Sequence, residues 1–232
     1  MVAVLLAGLL FAPSVNAATV MSTPAPVPVP TGSANVYIPE PYVPPVREQL
    51  RFLGYKASKN VYTSPTSNDR KEVKRFQSKF NLPQSGKMDK RTVKALDKYA
   101  GSAQLPKRCV TGEFTLCVNK FNRTVMAVNA DGTVAKVMDS RFGKQGYETR
   151  EGKFTVIRKG GANHISTLYR VVMPHPLFFS GGQAIHYSHE FARLPNSGSH
   201  GCVGTRDYNT MKWVWERSPV GTPVFVFDSP PR

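Results

Sequence analysis

The chain is short of acidic side chains. Its 232 residues carry 15 Asp and Glu against 31 Lys and Arg, for a formal net charge of +16. The imbalance favours an anionic partner: nucleic acid, a membrane surface or an acidic cell-wall polymer. A long apolar run is missing too. The stretch Val2 to Phe11 is too short for a transmembrane span. No Lys or Arg precedes it, so the basic start usual in export signals is absent. Val15-Asn16-Ala17 nonetheless reads as a small-x-small cleavage site, and a signal peptide over residues 1–17 is expected. The expected location is therefore secreted or in the cell-wall envelope. Metal ligands are scarce as well. His186 and His189 lack a convincing third ligand, so neither a metal nor a cofactor is expected.

Cysteine is rare, and its scarcity makes each position informative. The chain has three, Cys109, Cys117 and Cys202. An oxidising compartment would pair two and leave one. Cys109 and Cys117 flank a short stretch containing Gly112, within disulfide reach of each other as paired strands or a turn and a strand. Cys202 is then the odd thiol, and an unpaired thiol in an exported protein flags chemistry.

Hydrophobic residues make up 41% of the chain, enough for a real core, and the length suits one large or two modest domains. Residues 18–45 are Pro-rich and read as a spacer. Residues 46–100 read as three helices. The first starts after Pro44-Pro45 and stops at Gly54. The second runs from Asp69 to Phe80 with Ser67 or Asn68 as its cap. The third follows Asp89, with Val93, Leu96 and Tyr99 or Ala100 inward. This unit holds 14 Lys and Arg against 5 Asp and Glu. Residues 101–108 read as a second linker.

From Cys109 to the end, residues 109–232, the period changes to two. Strands are expected at Thr124 to Val128 and Thr133 to Met138, joined through Asp131-Gly132, and at Phe154 to Ile157, Leu168 to Met173 and Val224 to Phe227. One helix is expected from Arg206 to Glu216, with Tyr208, Met211 and Trp215 able to face inward. The fold class is multidomain: a small three-helix bundle followed by a mostly-β domain with one main helix.

The chemistry concentrates at Ile185-His186-Tyr187 and Ser199-His200-Gly201-Cys202-Val203. A cysteine attacks as its thiolate, and a neighbouring histidine can take the proton and return it to a leaving amine. Gly201 permits close backbone approach to a substrate, and the successive amides of His200, Gly201 and Cys202 can form an oxyanion hole.

His186 followed by Ser199-His200-Gly201-Cys202 resembles the L,D-transpeptidase catalytic domain, the YkuD-type fold. Arg141-Phe142-Gly143 with Thr149 to Phe154, and Val220-Gly221-Thr222-Pro223-Val224, resemble two of its strands. Leu50 to Tyr55, Val73 to Gln77, Asn81-Leu82-Pro83 and Ser85-Gly86 to Leu96 resemble a peptidoglycan-binding-like helical domain, with Gln84-Ser85-Gly86 where that family often has Asp-Gly. The resemblance implies that Cys202 is the nucleophile and His186 the general base and acid, preferred over His189 because Ile-His matches the start of the motif. It implies that the Tyr187 carbonyl holds the His186 tautomer and that Ser199 braces the loop. It further implies peptidoglycan stem peptides as partners, with anionic wall polymers a second possibility and nucleic acid excluded. The family usually has Arg or Asn two positions after the cysteine. Here Gly204 stands there, and Arg206 is the candidate for the missing polar, substrate-binding role. His164 and His175 read as structural, and Trp213 and Trp215 as packing residues. No sortase-type cysteine and arginine pattern is present. Whether an amine or water receives the acyl group, giving crosslinking, carboxypeptidase action or attachment of proteins to the wall, is left open by the residues, as is the oligomeric state. The intact Ser-His-Gly-Cys run weighs against a non-catalytic wall-binding protein.

Overall fold

The computed structural model describes residues 43–60, 64–101, 105–194 and 196–230, with side chains from Val46 onward. The expected export segment at 1–17 lies outside the described residues, as does the spacer up to residue 42. Among the described residues no helix is long and apolar enough to cross a membrane.

Three helices come first: α1 (Val43–Phe52), α2 (Ser67–Lys79) and α3 (Lys90–Ala100). The Pro pair lies in the first turn of α1, where a missing N–H is tolerated. Gly54, at φ +82°, turns the chain out of that helix. The cap of α2 is Thr66, so Ser67 and Asn68 fall in the first turn instead. The reason is reciprocal bonding. The Thr66 hydroxyl accepts the Asp69 N–H at 3.0 Å, and the Asp69 carboxylate accepts the Thr66 N–H at 2.8 Å. Asp89 caps α3 by accepting the Thr92 N–H at 2.8 Å. Leu50, Leu53, Tyr55, Val73, Phe76, Leu96 and Ala100 form the shared apolar face, while Val93 is only half-buried. Gln77, fully buried, braces the turn before α3. Its amide donates to the Lys87 carbonyl at 2.9 Å and to Thr92 Oγ1 at 3.0 Å, and accepts the Gly86 N–H at 2.9 Å.

The rest is a nine-stranded sheet of β1 (Thr115–Asn119), β2 (Thr124–Val128), β3 (Val134–Arg141), β4 (Gly152–Thr155), β5 (Arg158–Lys159), β6 (Leu177–Ser180), β7 (Gln183–Tyr187), β8 (Val203–Thr205) and β9 (Pro223–Phe227). Its order is β4-β9-β1-β2-β3-β8-β7-β6-β5. The pairs β1–β9 and β7–β8 are parallel and the others antiparallel. A short helix, α4 (His189–Arg193), follows β7, and the main helix, α5 (Tyr208–Arg217), follows β8. α5 starts at Tyr208, two residues later than expected, because Asp207 caps it through the Thr210 N–H at 3.0 Å. Met211 and Val214 enter the core beside Leu116, Val125, Leu177 and Ile185, whereas Tyr208 stays exposed and Trp215 packs at the edge.

One expected strand is not there. Leu168 to Met173 lies in the loop 160–176, closed by a single bridge between Ile165 and Val172. A tight turn interrupts it: the Ser166 carbonyl accepts the Arg170 N–H at 2.9 Å, Arg170 sits at φ +55°, and Leu168 is 76% exposed. The strand expected at Phe154 to Ile157 is likewise shifted to Gly152–Thr155.

The helices rest on β3. Lys79, 1% exposed, pairs with Asp139 and donates to the Arg123 carbonyl at 3.0 Å, and Arg206 meets the same carboxylate at 3.0 Å. Arg123 answers by donating to the Lys79 carbonyl at 3.1 Å.

Candidate active site

The register of β7 and β8 sets the site. Ile185 lies opposite Val203 and His186 opposite Gly204. Side chains alternate along a strand and laterally paired residues share a face. Cys202 immediately precedes β8, two positions before Gly204, so alternation carries its side chain to the same face as His186. The register thus places the two residues on one face of neighbouring strands.

His186 is buried, at 8% exposed. Its Nδ1 lies 2.6 Å from the Tyr187 carbonyl. A carbonyl only accepts, so Nδ1 carries the proton and Nε2 presents its lone pair. Burial pulls the imidazole pKa down to about 4; the charges of Arg141 and His164 push the same way, against the Tyr187 carbonyl. Cys202 is partly exposed, with Sγ 3.8 Å from the Gly182 carbonyl. Burial pushes its thiol up from the ordinary value, while the Ala184 backbone and the Arg141 charge pull it back. Both shifts favour the neutral forms, a thiol and an imidazole. Cys109 and Cys117 are joined as a disulfide with Cα atoms 5.6 Å apart, and Cys202 is the free cysteine.

The nucleophile loop is held from two sides. Ser199 bridges to the segment after β3, accepting the Lys144 N–H at 2.9 Å and donating its own to the Phe142 carbonyl at 2.8 Å. Its hydroxyl donates to the Cys202 carbonyl at 2.6 Å and accepts the Gly201 N–H at 3.1 Å. Thr149 accepts the Gly143 N–H at 3.0 Å and donates to the Gly201 carbonyl at 2.9 Å. These bonds tie residues 142–149 to the loop 199–202. Gly201 sits at φ +107°, and a Cβ there would collide with the Gln183 side-chain amide. That amide is fixed by the Glu148 carbonyl at 2.9 Å and the Arg150 N–H at 3.0 Å.

The other candidates disperse. The His200 ring is exposed, stacked on Tyr169 at 4.5 Å and edge-on to Tyr147 at 4.8 Å. His189 opens α4 and packs edge-on against Tyr187. His175 is buried within 3.1 Å of the Tyr208 hydroxyl. The Arg206 guanidinium is directed at Asp139 and over the Phe191 ring, toward the helices. Sequence reasoning missed Arg141 as a residue of the site. It lies opposite Gly204 from β3, is 8% exposed, and its charge acts on both His186 and Cys202. The available signal was Gly204 itself: a bare position beside the nucleophile invites a side chain from a neighbouring strand. Among the described residues no group of three His, Cys, Asp or Glu is placed to hold a metal.

Residues 113–226 match the family described as "YkuD: L,D-transpeptidase catalytic domain", and residues 40–96 match "Putative peptidoglycan binding domain". Among solved structures the chain is similar to an L,D-transpeptidase (Yku) from Stackebrandtia nassauensis, with 25% identity and a TM-score of 0.57 over 82% of this chain and 92% of that one. It is also similar to an L,D-transpeptidase from Xylanimonas cellulosilytica, with 26% identity and a TM-score of 0.53 over 81% of this chain and 94% of that one. No curated protein matches it.

Proposed function

This chain carries a YkuD-type L,D-transpeptidase catalytic domain behind a peptidoglycan-binding-like helical domain, and from that premise we propose that it is an exported cell-wall transferase that forms L,D-peptide crosslinks through a Cys202 acyl-enzyme. The observation that carries this reading is a free thiol on the same sheet face as a buried, neutral imidazole whose Nδ1 proton is fixed by the Tyr187 carbonyl.

In the proposed reaction the Cys202 thiol gives its proton to His186 Nε2 as sulfur adds to a carbonyl of the donor stem peptide. The oxyanion is held by the amides of His200 and Cys202, since the Gly201 N–H is already donated to Ser199. Collapse forms a thioester and expels the donor's terminal residue as an amine, which takes the proton from His186. The amine of an acceptor stem then attacks the thioester, again losing a proton to His186, and Cys202 leaves as the thiol. Neutral resting groups suit this sequence, because His186 is free to accept a proton at the moment of attack. The helical domain, residues 46–100, would hold the enzyme on the wall polymer.

Incubation with a disaccharide-tetrapeptide and mass spectrometry of the products tests the reading. Crosslinked dimer that disappears in Cys202→Ala is the expected result. Trimmed tripeptide alone would make the enzyme a carboxypeptidase, and unchanged substrate would leave a wall-binding protein without transferase activity.

A further inference from the structure

His186, Gly204 and Arg141 stand side by side on β7, β8 and β3. Laterally paired residues share a face, so this is one row of three positions whose middle member has no side chain. The vacancy is filled from the flank. A Cβ built on Gly204 would lie 3.2 Å from Arg141 Nε, 3.3 Å from its Cγ and 3.0 Å from the Ser188 Cβ. No positive φ requires glycine there. What crowds the position is the arginine lying across it together with the Ser188 Cβ. Beyond Gly204 the guanidinium bonds to the segment that links His186 to the nucleophile loop. It donates to Ser188 Oγ at 3.1 Å, to the Ser197 carbonyl at 3.2 Å, to the Ser197 hydroxyl and to the Glu190 carboxylate.

We propose that Arg141 is a positioning residue of the Cys202 site: it occupies the space left by Gly204, ties the 188–197 segment to β3, and places a fixed positive charge beside the nucleophile and its base. This rests on the acyl-transfer reading above and assigns to a different strand the polar role that the sequence suggested for Arg206. The charge stays effective because its one carboxylate partner, Glu190, is half in water at 53% exposed. The titratable groups whose charge acts on the pair are Arg141 from β3 and His164 from the 160–176 loop, while Glu190 from α4 faces Arg141 itself. A positive charge at Arg141 favours the Cys202 thiolate and disfavours the His186 imidazolium. Its removal moves both titrations to higher pH.

The test uses Cys202 alkylation by iodoacetamide as a function of pH, on the full chain with its disulfide intact. Cys202 is then the one thiol that reacts, and no substrate is needed. In Arg141→Met the alkylation curve is expected to move to higher pH. In parallel, turnover of the disaccharide-tetrapeptide should fall by about 100-fold, the scale set by a misplaced reacting group. A curve superimposable on that of the unchanged chain would overturn the proposal whatever happens to turnover. Should Arg141→Met not fold, Arg141→Ala with Gly204→Arg decides. Restoration of the original curve by an arginine on β8 supports the shared space, and a curve displaced as far as that of Arg141→Ala alone refutes it. Failure of the unchanged chain to turn over the tetrapeptide would count against the transferase reading alone.

Discussion

Two buried cations lie at the end of β3, Lys79 packed against it and Arg141 part of it, and they are neutralised in opposite ways. Lys79 at the junction with the helices faces Asp139, whose side chain is 4% exposed, with Arg206 beside it. Arg141 at the site faces hydroxyls, a carbonyl and the half-solvated Glu190. A buried cation needs partners in both places, but the position of the countercharge differs. A carboxylate sealed in the interior makes a joint, costly to open. A carboxylate in water leaves the cation's field to act on its neighbours. The joint even shows in Lys79 itself, whose pKa burial pulls down to about 8 against the opposing pull of Asp139.

The comparison breaks most visibly at the joint. Lys79→Met leaves Asp139 with Arg206 alone and should destabilise the chain by about 3–5 kcal/mol, measured by urea unfolding. Lys79→Met with Asp139→Leu and Arg206→Leu should recover most of that, and a triple variant as unstable as the single would deny that the three groups form a joint. The site side is probed by acid. His186 folds with a lowered pKa, so the unfolded chain binds its proton first as pH falls. Stability from this group is fully present above about 6.5 and lost as pH drops toward 4, by roughly 3 kcal/mol at most. The measurement is the pH dependence of unfolding in the parent against His186→Gln; equal slopes between pH 6.5 and 4 would contradict the buried neutral imidazole.

Reducing the Cys109–Cys117 bridge should cost about 2–3 kcal/mol, the modest value of a short loop. Its effect belongs with the joint, because Phe52 of α1 packs on the same buried cluster. Smallest is the stability change in Arg141→Met. Glu190 and Ser197 can turn to water, so about 1–2 kcal/mol is expected. A loss as large as that of Lys79→Met would erase the distinction between the two cations.

The apolar spacing of the helical unit was readable because three amphipathic faces converge on one core, and β2 was readable to its ends because Asp131-Gly132 marks the turn beyond it. Strands β6 to β8 were not, since runs of three to five residues carry too little periodicity. The apolar alternation of Leu168 to Met173 misled for a different reason. Its side chains before Met173 stay in solvent, and Tyr169 covers the His200 ring rather than entering a sheet. In the site, Cys202 and His186 are legible because each lies in a short segment with its own chemistry. Arg141 is not, because only the register of β3 on β8 brings it to Gly204. The same register explains Arg206. It lies just past β8, and its side chain turns to Asp139 across the strand pair.

Gly54 carries a consequence for modularity. A Cβ at this position would collide with the backbone of Met138 and Asp139, so the end of α1 lies directly on the β3 main chain. The helical unit is therefore not a detachable tether. Deleting it would uncover Asp139 and the Phe191 ring on which Lys79 also rests. A wall-binding unit transplanted from another protein would need a glycine at this contact and a cation reaching Asp139. Recombination that exchanges such units freely between enzymes would here be restricted to partners that already share this seam.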